Sequence, residues 1–191
     1  MKLKITKFIL VFVFIPSLIY SQATINIGVK LDAFALHTEK LKTVTNYENK
    51  YTFFAPRAGY LFINGTLKKK AKIGAALRLG YLDANDYSGF ELGMFLNKYF
   101  LKNMYVQLGF NIHFNQKKII NNDIHDKSDS KTINFLSAGI GLDFTKHIFI
   151  ELIFDYALNN EYGISVPFDQ KYSEKDKNIF DIFRIGLGYK I

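Results

Sequence analysis

The chain has no cysteine among its 191 residues. Without a thiol there is no disulfide framework, no thiolate ligand for a metal ion and no cysteine nucleophile. A lipid attached through a cysteine is excluded for the same reason. A protein of the cell envelope is compatible with this composition.

Long apolar runs are also scarce, because only residues 8–20 form one. The basic residues Lys2, Lys4 and Lys7 precede this run, and the small residues Ser21 and Ala23 follow it. The run is shorter than the roughly 20 apolar residues that a bilayer-spanning helix needs. We therefore predict a signal peptide at residues 1–21, cut after Ser21 or Ala23, and a single domain at residues 22–191. A retained N-terminal anchor is the alternative.

Positive charge is in modest excess, with a formal net charge of +8. Three of these charges belong to the predicted signal peptide, which leaves 8 − 3, or about +5, on the mature chain. A nucleic-acid-binding protein would concentrate its charge in a patch with interleaved aromatic residues. The densest cluster, at residues 68–72, adjoins the Asn64-Gly65 pair and is interpreted as a solvated turn. We expect no nucleic-acid partner.

Apolar residues alternate with polar ones in eight separate segments, and this period of two is typical of strands with two different faces. The segments lie at residues 25–33, 54–62, 73–81, 90–96, 104–114, 136–144, 148–156 and 183–191. In the second segment we assign Phe54, Pro56, Ala58, Tyr60 and Phe62 to the apolar face. The pattern predicts an all-β fold, an eight-stranded antiparallel up-and-down transmembrane β-barrel.

The predicted connections alternate in length. Residues 38–51, 116–131 and 159–177 are long and polar, whereas 64–70, 98–103 and 145–147 are short. The connection at residues 83–88 is the exception, since it is short although it lies at the end where the other connections are long. This sorting predicts three long extracellular loops, with the N- and C-termini in the periplasm.

The polar face distinguishes a membrane barrel from a soluble one. Most of the 13 glycines fall on it, although glycine is costly inside a strand. A crowded lumen would explain them, because long side chains there need small neighbours. The apolar face carries no charge in these segments. Charges of both signs nearly balance on the polar face, which predicts a lumen charge network of Lys30, Asp32, Arg57, Lys72, Arg78, Glu91, Asp143, Glu151, Asp155, Arg184 and Lys190.

Two strands in which glycine alternates with apolar residues carry a family resemblance. They are the strand at residues 138–144, with Gly139 and Gly141, and the last strand at residues 183–191. The chain resembles the small eight-stranded outer-membrane barrels of the OmpA/OmpX type, and more closely the porin-family β-barrel proteins of Bacteroidetes. The resemblance implies a Gram-negative outer membrane as the location and its lipid as the surroundings. It also implies that the barrel-insertion machinery reads a C-terminal signal, here Phe183, Ile185, Leu187, Tyr189 and Ile191.

Several functions fit such a barrel. Our leading hypothesis is a structural or surface-interaction protein with a side-chain-packed lumen. The runner-up is a narrow porin-like channel, although eight strands leave an interior that side chains just fill. A soluble periplasmic barrel is a further alternative.

A lipid-modifying enzyme is the last alternative, since His113 and Ser137 lie on adjacent predicted strands. His113 falls on the lumen face, away from lipid, so we interpret it as a lumen histidine. The acidic loop at residues 121–129 lacks the glycine and glutamate of a calcium loop. We therefore predict no catalytic, cofactor or metal site.

Overall fold

In the computed structural model, residues 23–43, 46–67, 72–84, 87–116, 132–159, 161–165 and 175–191 are described. The predicted signal peptide at residues 1–21 and the acidic loop at residues 121–129 lie outside them. The strands are β1 (Ala23–Thr43), β2 (Asn46–Leu67), β3 (Ile73–Ala84), β4 (Tyr87–Tyr99), β5 (Met104–Asn115), β6 (Thr132–Asp143), β7 (Ile148–Ala157), β8 (Glu161–Ser165) and β9 (Lys175–Lys190). No helix in the described ranges is both long and apolar enough to cross a membrane.

Eight of these strands close into a barrel. Each strand from β1 to β6 pairs antiparallel with the next one, and β9 pairs with both β7 and β1. The closing register joins Gly28 to Lys190. The short β8 lies outside this ring, because it pairs only with residues 175–178 of β9. The predicted eight-stranded antiparallel all-β barrel is confirmed.

The two ends of the barrel differ. We call the end where β2, β4 and β6 finish the turn end, and the opposite end the loop end. At the loop end, β1 and β2 stay paired from Thr38–Lys50 to Thr43–Asn46. The prediction of a connection at residues 38–51 is therefore wrong, because these residues continue the β1–β2 hairpin past β3, and β9 stays paired with β1 as far as Lys40. The predicted connection at residues 159–177 likewise contains β8.

The predicted faces of β2 are inverted. Phe54, Ala58, Tyr60 and Phe62 point into the lumen and are buried, whereas Leu61 is 62% exposed on the outer surface. A β-bulge lies beside these residues, because Asp32 pairs with Ala58 but Phe34 pairs with Phe54. Residues 55–57 thus face the single residue 33, and Pro56, which has no N–H to donate to a ladder, lies within the bulge. The sequence pattern does not identify the inward face of β2, because apolar residues occupy both faces of this strand.

Candidate functional site: the packed lumen

Aromatic rings fill much of the lumen, and five of them each lie over a glycine of the adjacent strand. Every such ring is the direct cross-strand partner of its glycine, and a Cβ on that glycine would collide with the ring. The pairs are Phe62–Gly28, Tyr60–Gly80, Phe95–Gly109, Tyr105–Gly141 and Phe149–Gly188. These five glycines therefore make room for the rings. The pairing could not be predicted in full, because Tyr60 and Phe62 of β2 were assigned to the outer face.

Arg184 lies at the centre of the first polar cluster. Its Nη1 and Nη2 donate to the two oxygens of Glu91 at 2.8 and 3.0 Å, and its Nε donates to Asp155 at 2.5 Å. The hydroxyl of Tyr60 accepts from Arg184 and donates to Glu91. The Nδ1 atom of His113 lies 3.0 Å from Glu91 Oε1. Because these groups are buried, each charge is compensated by a partner and not by water.

Glu151 organises the second polar cluster, nearer the turn end. It accepts hydrogen bonds from Lys30 Nζ at 2.9 Å, Arg78 Nη2 at 2.7 Å and the Tyr105 hydroxyl at 2.7 Å. Lys30 also pairs with Asp32 at 3.2 Å. Two cations and two carboxylates thus balance in this layer. The guanidinium of Arg78 additionally lies 4.0 Å above the ring of Phe95.

A separate ion pair lies at the turn end, where Lys190 Nζ is 2.6 Å from Asp143 Oδ1. Two members of the predicted charge network lie elsewhere. Arg57 is exposed on the outer surface of β2, because it lies in the bulge, one residue before the inward Ala58. Lys72 is also exposed; it precedes β3, with a φ of 47°, so the alternation of a strand does not apply to it. Assigning Arg57 and Lys72 to the lumen was wrong.

An apolar layer occupies the loop end of the lumen, and the sequence analysis missed it. Its members are fully or almost fully buried: Phe34, Leu36, Phe54, Leu82, Ile133, Phe135, Ile179 and Ile182. On β1 the inward residues change from Lys30 and Asp32 to Phe34 and Leu36 along the strand. The signal was present in the sequence, but the predicted first strand ended at residue 33. Polar clusters are thereby separated from the loop end by a hydrophobic plug.

Little empty space remains between these layers. One cavity of about 10 Å³ lies among Asp32, Tyr60 and Arg184, and another of about 10 Å³ lies among Asn64, Asn97 and Tyr105. Each has room for roughly one water molecule. In the part of the chain that the structure describes, the lumen is a packed interior.

The residues considered for catalysis form no Ser–His pair. Ser137 Oγ donates to Asp155 at 2.5 Å, and the Nδ1 atom of His113 is engaged with Glu91. Both side chains are fully buried. A substrate outside the barrel therefore has no access to either group. Within the described ranges, no group of three or more His, Asp or Glu side chains could hold a metal ion.

The closed strand order and filled lumen define the chain as a packed eight-stranded β-barrel. No protein-family model matches the sequence, and no curated protein matches it. Among solved structures, the chain is similar to the outer membrane protein OprG of Pseudomonas aeruginosa, with 13% identity, a TM-score of 0.44, and coverage of 87% of this chain and 96% of OprG. It is also similar to the N-terminal β-barrel domain of OprF of the same organism, with 16% identity, a TM-score of 0.41, and coverage of 86% of this chain and 97% of that domain.

Proposed function

We propose that this protein is a non-conducting β-barrel of a Gram-negative outer membrane, with a structural or surface-interaction role. The observation that carries the proposal is the outer surface of the barrel. In the described strands, charged side chains lie on the outer surface at two levels, with Arg57, Asp83 and Asp181 at the loop end and Lys98 at the turn end. The outward positions between these two levels carry no charged side chain. Large apolar side chains are exposed around the whole circumference, including Leu31 at 60%, Leu108 at 65% and Leu136 at 56%. Such a surface suits lipid and would aggregate in water.

The location is tested by placing a charge on this surface. Leu108 pairs with Leu96 and Ala138, midway along β5. For a lipid-facing residue at the bilayer midplane, Leu108→Arg should destabilise the inserted barrel by about 2–4 kcal/mol. The matched control is Leu101→Arg, because Leu101 is 52% exposed but lies in a turn beyond the strands. Urea titration of protein refolded into vesicles measures both changes. Equal, small effects of the two substitutions would favour the soluble barrel.

We propose that the barrel does not conduct ions, because the polar clusters and the apolar layer both close the lumen. Ions would have to break the compensated clusters around Arg184 and Glu151 and also cross the apolar layer, whose side chains such as Phe34 and Phe135 cannot replace an ion's hydration. We expect purified protein in a planar bilayer to show no stable openings. Reproducible unitary currents would instead support the narrow channel.

A surface role for the loop end rests on the hairpin of β1 and β2, which continues past the adjacent β3–β4 hairpin. In the proposed orientation the loop end faces the cell exterior, and the tight turns and both chain termini lie in the periplasm. Protease added to intact cells should then cut at the loop end and spare the turn end. We further propose that the barrel-insertion machinery reads the last strand, in which Phe183, Ile185, Leu187, Tyr189 and Ile191 are all exposed on the outer surface.

A further inference from the structure

The positive charge of the chain is concentrated at the turn end. Along the chain, the segments that belong to this end contain eight lysines and one acidic residue, and they are residues 67–72, 98–104, 143–148 and 189–191. The segments of the loop end contain 11 basic and 12 acidic residues, and they are residues 37–57, 83–88, 115–132 and 157–181. The loop end is therefore nearly neutral, whereas the turn end has an excess of 8 − 1, or seven, positive charges.

The single acidic residue of the turn end, Asp143, compensates only one of these lysines. Its Oδ1 atom lies 2.6 Å from Lys190 Nζ. The connection between β2 and β3 supplies no second acid, because residues 67–71 contain three lysines and no acidic residue. The lysines of this end whose side chains the structure describes as exposed are called the turn-end lysines: Lys72, Lys98, Lys102 and Lys146. Their excess charge is met by water and counter-ions, or by an anionic partner.

The turn-end lysines are spread around the circumference of the barrel. Lys72 directly precedes β3, Lys102 lies in the turn between β4 and β5, and Lys146 lies in the turn between β6 and β7. A lysine thus recurs at every second strand around this part of the ring. Lys98 adds an outward charge on β4, in the cross-strand row of Ile73. This distribution fits a planar surface that surrounds the barrel better than a protein that docks on one side.

Exposed apolar side chains accompany the lysines in the same turns. Phe100 and Leu101 are each 52% exposed, and Phe144 is 58% exposed. The turns are short and closed by backbone hydrogen bonds, from Phe100 N to Met104 O at 3.2 Å and from Phe144 N to Ile148 O at 2.9 Å. At a membrane interface, apolar side chains enter the acyl region while neighbouring lysines extend to the headgroups. The composition of these turns therefore suits the headgroup level of a leaflet.

We propose that the turn-end lysines bind the phosphate groups of anionic phospholipids in the leaflet at the turn end, a proposal that rests on the membrane location above. Each ammonium group has three N–H donors for phosphate oxygens. It is a compact point charge, so the headgroup is selected by its charge and not by its shape. A lysine near an anionic lipid surface strengthens binding about fivefold, and the effect falls off within a Debye length of about 10 Å.

The experiment uses the full barrel in phosphatidylcholine nanodiscs that contain a minor fraction of phosphatidylglycerol. Native mass spectrometry after release measures which lipids stay bound. We expect retained phosphatidylglycerol to exceed its share in the nanodisc. Replacing all four turn-end lysines by glutamine should lower that excess by about half, since four of the seven lysines in excess are removed. Raising the salt concentration to about 1 M should lower it in the parent as well, because the Debye length falls to about 3 Å.

The matched control makes the same change in net charge at the loop end. In this variant glutamine replaces four lysines of β1, β2 and β9, namely Lys40, Lys42, Lys50 and Lys177. These residues belong to the parts of the three strands that continue past β3. The control should therefore keep most of the excess phosphatidylglycerol. Far-UV circular dichroism and heat-dependent gel migration verify the barrel in both variants.

Each outcome distinguishes the lipid contact from the location. A barrel that enters the nanodisc but retains both lipids in proportion to their abundance would overturn the lipid contact alone, and an acidic protein would then be the partner that the turn end fits. Equal losses in the two variants would also overturn it, because they would show an effect of net charge without regard to place. A chain that does not enter the nanodisc would overturn the proposed function as well.

Discussion

Replacing Arg184 by methionine would remove the cation that three buried groups share. Glu91 and Asp155, which are 0% and 1% exposed, would keep their carboxylates but lose their guanidinium partner. Removing one partner of a buried ion pair typically costs about 3–5 kcal/mol, since the remaining charge stays desolvated. Two carboxylates depend on Arg184, so we expect Arg184→Met to lie near the upper end of that range.

A compensating variant separates this charge effect from a packing effect. In the triple variant Arg184→Met, Glu91→Gln and Asp155→Asn, no charge is stranded, and the amides can still bond to Tyr60 and Ser137. Replacement of a whole buried ion cluster is often close to neutral. We therefore expect the triple variant to recover most of the stability lost in the single variant.

The free energy of unfolding is measured by urea titration in vesicles. Far-UV circular dichroism is the appropriate signal, because the chain has no tryptophan to report by fluorescence. Arg57→Met serves as the control, since its side chain is exposed and should change stability by less than about 0.5 kcal/mol. The reasoning would be refuted by a loss below about 1 kcal/mol in Arg184→Met, or by a triple variant as unstable as the single one.

Three further predictions concern other layers of the lumen. Gly141→Ala should destabilise the barrel by about 1–3 kcal/mol, because the ring of Tyr105 has to move. Gly59→Ala is the control and should be nearly neutral, since a Cβ there meets only Leu31 at 3.7 Å. Equal unfolding midpoints of the two variants would contradict this. Phe135→Ala should cost about 3–5 kcal/mol by leaving a cavity yet produce no current in a planar bilayer, because the polar clusters still close the lumen. Lys190→Met should cost only about 1 kcal/mol by chemical denaturation, since water reaches its partner, which is 19% exposed.

Much of the barrel could be predicted, because a strand with one face toward lipid and one toward a polar lumen must alternate apolar and polar side chains. The faces of β3, β5, β6 and β7 follow the alternation seen in the sequence. The faces of β2 could not be read in this way. Its inward residues Tyr60 and Phe62 are as apolar as its outward residues Leu61 and Ile63, so alternation carries no information there. Which face is inward depends on the glycines Gly80 and Gly28 of the adjacent strands, a tertiary relation.

The lumen charges could be predicted as a balanced set but not as partners. Lys30 and Glu151 are 121 residues apart in the chain, and their bond depends on strand registers and barrel closure. The uncharged groups that complete the clusters were missed, because such side chains on an alternating strand show no distinctive pattern. They are Tyr60, Tyr105 and Gln107, whose Oε1 accepts a hydrogen bond from Arg78 Nη2 at 2.8 Å. The length of the β1–β2 hairpin was missed because outside the apolar belt both faces of a strand can be polar.

The pairs of ring and glycine across neighbouring strands also decide how the strands align during assembly. The outer surface is apolar along most of each strand, so a strand that slid by two residues would present a similar surface to lipid. Inside, the same slip of β5 in one direction would place the ring of Tyr105 opposite Asp143, which has a side chain where Gly141 has none. In the other direction, the slip would place the long side chain of Gln107 opposite Ser137 instead of Gly139. Correct alignment is thus checked from within the barrel, where a sliding error meets steric resistance that the lipid-facing surface cannot supply.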